Sequence, residues 1–142
     1  MYCYKYPHPA VTADCIVFYK EDNKIYVLLI KRKNEPYKDF WAFPGGFINI
    51  DESAEDAALR ELKEETGLDI STVEQLKAYS NPNRDPRERV ITIAFIAESQ
   101  IKKVKGGDDA KEARWFDISN LPPLAFDHDQ ILKDALGKIK NK

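Results

Sequence analysis

The sequence predicts an α/β domain whose mixed β-sheet is packed by helices on both faces. Three observations carry that expectation. β-rich runs recur from Val11 to about Phe116. One helical segment with start and stop signals is inserted among them, and a second, amphipathic helix follows the last run. Strands interrupted and then followed by helices must bury their apolar faces against those helices.

The first two runs, residues 11–20 (VTADCIVFYK) and 25–32 (IYVLLIKR), flank Glu21-Asp22-Asn23-Lys24 and read as a hairpin. A short aromatic strand, Phe40 to Phe43, is expected to stop at the breaker cluster Pro44-Gly45-Gly46. Ser53 to Thr66 reads as a helix, with Ser53 and Asp56 as a capping pair and Gly67 as its C-terminal stop. Strands follow at 75–80 and 89–97, separated by the polar loop Asn81-Pro82-Asn83-Arg84-Asp85-Pro86-Arg87. A proline-bearing loop of this kind cannot pair as a central strand. A Gly106-Gly107 turn leads to a short strand at Ala113–Phe116. The final helix starts near Asp127, with Ile131, Leu132, Ala135, Leu136 and Ile139 on one stripe.

A chain of 142 residues with 43% apolar and 32% charged residues fits one soluble globular domain, spanning 1–142. Its net charge of −2 gives no electrostatic case for nucleic acid as a partner. A polyanionic substrate would need local arginines or metal cations. The longest apolar run, Ile25 to Ile30, is far too short to span a membrane, and the N-terminus lacks the apolar core of a signal peptide. Cys3 and Cys15 suit free thiols in a reducing compartment. A cytoplasmic location is therefore expected.

The chemistry is concentrated between Gly46 and Leu68. Projected at about 100° per residue, Glu61, Glu64 and Glu65 share an arc of about 100°. Ala54, Ala57 and Ala58 fall on the same arc, which is expected to leave room for a ligand, while Leu59 and Leu62 turn away. Like charges at these spacings cost roughly 0.2–0.5 kcal/mol each, and only Arg60 is near enough on the helix to compensate. The cluster is either a solvated helix face or a seat for divalent cations. Mg²⁺ favours carboxylate and phosphate oxygens and keeps waters.

The segment matches G-x5-E-x7-R-E-U-x-E-E-x-G-U at every fixed position: Gly46, Glu52, Arg60, Glu61, Leu62, Glu64, Glu65, Gly67 and Leu68. That pattern resembles the Nudix box, and the likeness to the Nudix family extends over nearly the whole chain. It implies an α/β/α sandwich and a pyrophosphohydrolase that uses Mg²⁺, or Mn²⁺ in its place. It further implies Glu61, Glu64 and Glu65 as metal ligands, Arg60 as the residue that orients and neutralises one carboxylate of the cluster, and Gly46 as a point of close approach to metal or phosphate. Glu52 would be a supporting carboxylate. The general base can lie on another loop in similar enzymes, and residues 106–112 offer Glu112, Asp108 and Asp109; the same segment also reads as a surface turn.

Outside the box, Arg84, Arg87 and Arg89 crowd one loop, a residue type whose planar fork suits phosphate. They are either substrate ligands or solvated partners of Asp85 and Glu88. Asp127 caps the last helix or binds ligand; His128 contacts a base or ribose or is simply solvated. Trp41, Phe43, Phe47 and Phe126 can stack an adenine, although at strand spacing Phe43 belongs to the core. Together these segments resemble the ADP-ribose branch of the family, in its hydrolase and regulator forms. Pro82 stands one residue short of the place where many of those hydrolases carry a proline.

The resemblance implies hydrolysis of ADP-ribose, a small-molecule nucleotide, and leaves a homodimer open. Two other readings compete. One is hydrolysis of modified nucleoside triphosphates or dinucleoside polyphosphates. The other is an ADP-ribose-sensing regulator, which would need a DNA-binding appendage for which the sequence after Asp127 leaves no room.

Overall fold

The computed structural model describes residues 2–104 and 110–140. The Gly106-Gly107 turn, with Asp108 and Asp109, lies outside the described residues.

Strands β1 (Ala10–Glu21) and β2 (Lys24–Arg32) form the expected hairpin, with Glu21 opposite Lys24. Asp22 and Asn23 hold φ of 53° and 63°. Two left-handed residues give a two-residue turn the twist its strands require, and Asp and Asn tolerate that region best after glycine. The short aromatic strand stops before Pro44, as the sequence suggested, but a further strand that it did not suggest starts inside the breaker cluster. β3 (Trp41–Ala42) pairs with β2, and Gly45–Phe47 forms a further strand, β4, antiparallel to β1.

The helix α1 (Ala54–Thr66) begins where expected. The Ser53 hydroxyl accepts the Asp56 N–H at 3.1 Å, and Gly67 closes the helix at φ 79°. β5 (Glu74–Tyr79) runs antiparallel to β6 (Val90–Glu98), which lies parallel to β1 from Ala10↔Val90 to Phe18↔Glu98. β7 (Ala110–Asp117) returns antiparallel along β2, and α2 (His128–Lys140) follows. The sheet is therefore mixed, as predicted.

Side-chain alternation divides the core between the two faces. Ile16 and Phe18 of β1, Val27 and Leu29 of β2, and Ala94 and Ile96 of β6 meet Ile131, Leu132 and Ala135 of α2. Cys15, Val17, Leu28 and Phe95 project oppositely onto Ala57, Ala58 and Leu62 of α1. Strands covered on both faces need apolar residues at successive positions, which is why β1 and β2 read as apolar runs. Each fully buried leucine or phenylalanine contributes about 1.5–3 kcal/mol.

This packing corrects one expectation about α1. Ala57 and Ala58 are completely buried against the sheet, and Leu62 is buried beside them. The small side chains let the helix approach the strands; they do not leave space for a ligand. The glutamates lie a turn further along, where the helix passes the glycines of β4.

Candidate active site

The glycines of β4 set how closely α1 can approach. A Cβ on Gly46 would lie 2.7 Å from Glu61 Oε1, and one on Gly45 only 2.4 Å from the Ala13 carbonyl. Glycine at both positions allows β4 to fit between β1 and the helix. The Gly45 N–H then donates to Glu65 Oε1 at 2.8 Å, so the buried Glu65 carboxylate is tied to the sheet edge. The close approach foreseen at Gly46 for a metal or phosphate is made here by the carboxylate of Glu61.

Arg60 organises the acidic face. Its guanidinium donates twice to Glu52, at 2.6 and 3.0 Å, and to Glu61 and Glu64 at 2.9 and 3.2 Å. The sequence suggested that it would neutralise one carboxylate; it reaches three. Hydrogen bonds from Arg60, and then from the Asn49 N–H, hold the Glu52 carboxyl down at about 2. The same contacts, Glu52's foremost, raise the Arg60 guanidinium above its usual value. Among the described residues, no three His, Cys, Asp or Glu side chains stand as a metal-holding group in this arrangement. The carboxylates supply hard oxygen donors, the kind that suits Mg²⁺. A cation drawing Glu61 and Glu64 together would compete with Arg60 for them.

A cleft of about 460 Å³ opens beside this face. Gly46, Arg60, Glu61 and Glu65, from β4 and α1, line it together with Arg84, Arg87 and His128. Most sequence-predicted site residues are thus gathered around one space. Glu64 is 57% exposed in its side chain and is not among the lining residues. Glu112 is not brought there either; it pairs with Arg114 at 2.5 Å on β7.

The loop arginines differ from one another. Arg84 makes a two-pronged pair with Asp127, at 2.7 and 2.9 Å, and its side chain is only 4% exposed. Burial alone would lower its guanidinium, but Asp127 outweighs that and holds it up. The Asp127 carboxylate is therefore used on Arg84, while its carbonyl accepts the Gln130 and Ile131 N–H groups at the start of α2. Arg87 pairs with the buried Asp85 at 2.7 Å yet keeps 40% of its side chain exposed. It also lies over the rings of Phe47 and Phe126.

The solvated reading of His128 does not hold. Its ring is buried and stacked on Phe43 at 4.7 Å, and its Nδ1 accepts the Phe43 N–H at 3.2 Å. Accepting at Nδ1 places the proton of the neutral ring on Nε2, which lies 3.8 Å from Asp14 Oδ2. Burial lowers its pKa below the usual value, against the pull of Asp14. Phe43 is core, as its strand position suggested.

Sequence reasoning missed Asp14 and Arg32, which line the cleft, and named Asp85 only as an arginine partner, which it is for Arg87. Asp14 is buried on β1 and accepts the Thr92 hydroxyl at 2.6 Å. A charged residue amid an apolar strand run was the available signal for it.

A model of the NUDIX domain matches residues 8–135. The chain belongs to the Nudix family. Its curated Nudix relatives include an ADP-ribose pyrophosphatase of Methanocaldococcus jannaschii, 54% identical over 92% of this chain and 75% of that protein. Another is an ADPR-responsive transcriptional repressor, NtrR, of Acinetobacter baylyi, 33% identical over 96% of this chain and 57% of the repressor. Among solved structures, the NUDIX domain of Shewanella oneidensis NrtR complexed with ADP ribose superposes with a TM-score of 0.88. That likeness covers 94% of this chain and 90% of the other, at 31% identity. The sandwich inferred from the Nudix box is thus the fold observed. No described helix is long and apolar enough to cross a membrane.

Proposed function

We propose that this Nudix chain is a Mg²⁺-dependent ADP-ribose pyrophosphatase, converting ADP-ribose and water to AMP and ribose 5-phosphate. The observation that carries the reading is that one cleft is lined both by the carboxylates of Glu61 and Glu65 and by the guanidiniums of Arg84 and Arg87. The 54% identity to the Methanocaldococcus enzyme supports the choice of substrate. A diphosphate in this cleft is attracted by the guanidiniums and repelled by the carboxylates unless a cation lies between. Glu61, Glu64 and Glu65 would hold that ion, which when bound neutralises the phosphates and activates water.

In this reading Arg60 keeps the glutamates oriented and limits their mutual repulsion. Arg87, half-exposed in the cleft and steadied by Asp85, contacts the phosphates or the terminal ribose. Arg84 acts through its pair with Asp127, which ties the loop to α2. No role falls to Glu112.

A second reading, binding of ADP-ribose without hydrolysis, is favoured by the likeness to the Acinetobacter repressor. One assay separates the readings. The protein is incubated with Mg²⁺ and ADP-ribose, nucleoside triphosphates, sugar nucleotides or diadenosine polyphosphates, and AMP, phosphate and pyrophosphate are measured separately. The highest kcat/KM is expected for ADP-ribose, with AMP released. ADP-ribose ranking below several others would overturn the substrate, and tight binding without turnover would favour the sensor.

A further inference from the structure

Arg32, at the end of β2, lines the cleft but has no role in the proposed reaction. Its Nε donates to the Pro36 carbonyl at 2.8 Å, and its guanidinium lies 4.9 Å from the centre of the Phe126 ring. Among the described residues it makes no salt bridge, whereas Arg84 and Arg87 each have a carboxylate partner. Arg87 lies over the same Phe126 ring, at 5.6 Å. Two guanidiniums thus share one aromatic ring inside the cleft. Burial, and then the charge of Arg87, depress the Arg32 guanidinium below its usual value, against the pull of Asp85, Glu65 and Asp14. With no carboxylate in salt-bridge contact among the described residues, a half-buried cation beside a like charge is favoured by an anion seated against both guanidiniums.

The wall that holds Arg32 is built with backbone cost. Phe126 has φ 52° and Tyr37, packed on it at 4.8 Å, has φ 60°. Bulky side chains rarely adopt the left-handed region, and such outliers gather where the fold holds a side chain for a purpose. Here the strained residues present rings on which a guanidinium can lie flat, with its remaining N–H groups available to a ligand.

We propose that Arg32 is a substrate-binding residue that, with Arg87, grips a phosphate of a diphosphate ligand, its guanidinium steadied on Phe126. This rests on the reading of the cleft as a nucleoside-diphosphate site, and it names the cation that the sequence motifs do not contain. The carboxylates of α1 and the Arg32–Arg87 pair would then serve the same diphosphate.

The test compares equilibrium binding of adenosine, AMP and ADP, with Mg²⁺ present, to the wild type, Arg32→Ala and Arg32→Lys. Arg32→Ala should weaken ADP about 10- to 100-fold, the scale of a lost charge-assisted hydrogen bond. AMP should lose less, and adenosine nothing. Arg32→Lys keeps the charge but loses the planar fork, and should fall between; it also serves if the alanine variant does not fold. Unchanged ADP binding in either soluble variant would overturn the proposal. So would an equal loss for adenosine, which would mark Arg32 as shaping the pocket and not gripping phosphate. Absence of ADP binding by the wild type would remove the diphosphate reading together with the proposal. Poor turnover of ADP-ribose with ADP binding intact would remove only the assigned substrate.

Discussion

The carboxylate of Glu61 occupies the space where a Cβ at residue 46 would stand, 2.7 Å from its Oε1. The helix face and the sheet edge are therefore coupled through a missing side chain. Gly46→Ala should displace the Glu61 head group, which is the movable end of a flexible side chain, and leave the fold intact. A misplacement of that size can cost about 10²-fold in rate. Gly45→Ala meets the backbone of β1 instead, 2.4 Å from the Ala13 carbonyl, and should lose about 1–3 kcal/mol of stability by overpacking. Melting curves beside kcat separate the two variants; equal effects on both would refute the distinction.

The acidic face predicts how single glutamates behave. Glu64→Gln and Glu65→Gln should each lower kcat by at least about 10²-fold, the scale of losing a major electrostatic contribution. Glu65→Gln retains an oxygen for the Gly45 N–H, so its melting temperature should stay near the wild type. Glu65→Ala leaves that donor unsatisfied and should cost about 1–3 kcal/mol. Wild-type turnover of both glutamine variants at saturating Mg²⁺ would refute the metal-ligand assignment.

Two of the perturbed groups, His128 and Glu52, predict a two-stage loss of stability in acid. His128 has its pKa lowered in the fold, so below its ordinary value of 6.5 the unfolded chain takes up a proton that the folded chain resists. Stability then falls as pH drops from there. The Glu52 carboxyl, held at about 2 against an ordinary 4.5, stabilises the fold fully above 4.5. That contribution is lost as pH falls through about 2. His128→Gln should flatten the dependence of melting temperature between pH 6.5 and 5, and Glu52→Gln should flatten it below 4.5. Unchanged slopes in both would contradict the assignments.

Arg84 and Arg87, three residues apart, should fail differently. Arg84→Ala breaks a largely buried pair and strands Asp127, so it should lower stability by up to about 3–5 kcal/mol. Arg87→Ala should raise KM for ADP-ribose roughly 10- to 150-fold, with a smaller effect on kcat. Thermal melting and steady-state kinetics on both variants decide this. A stable Arg84→Ala with a raised KM would show that Arg84 itself contacts the ligand.

Local spacing in the sequence determined much of this protein. Apolar runs marked the strands, Ser53 and Gly67 marked the ends of α1, and the Gly46–Leu68 pattern carried the family and its acidic face. These are legible because helix and strand periods, caps and motif spacings act between residues a few positions apart. Only the tertiary structure decided which groups meet across the sheet. His128 reaches Phe43 over a separation of 85 residues, and Arg84 reaches Asp127 over 43. Nothing near either residue in the chain specifies such a partner. Arg32 drew no functional reading from the sequence; only the fold places it over the same Phe126 ring as Arg87. The physical reason is that strand order and register fix which distant side chains share a cleft, and burial then sets their charge and hydrogen-bonding partners.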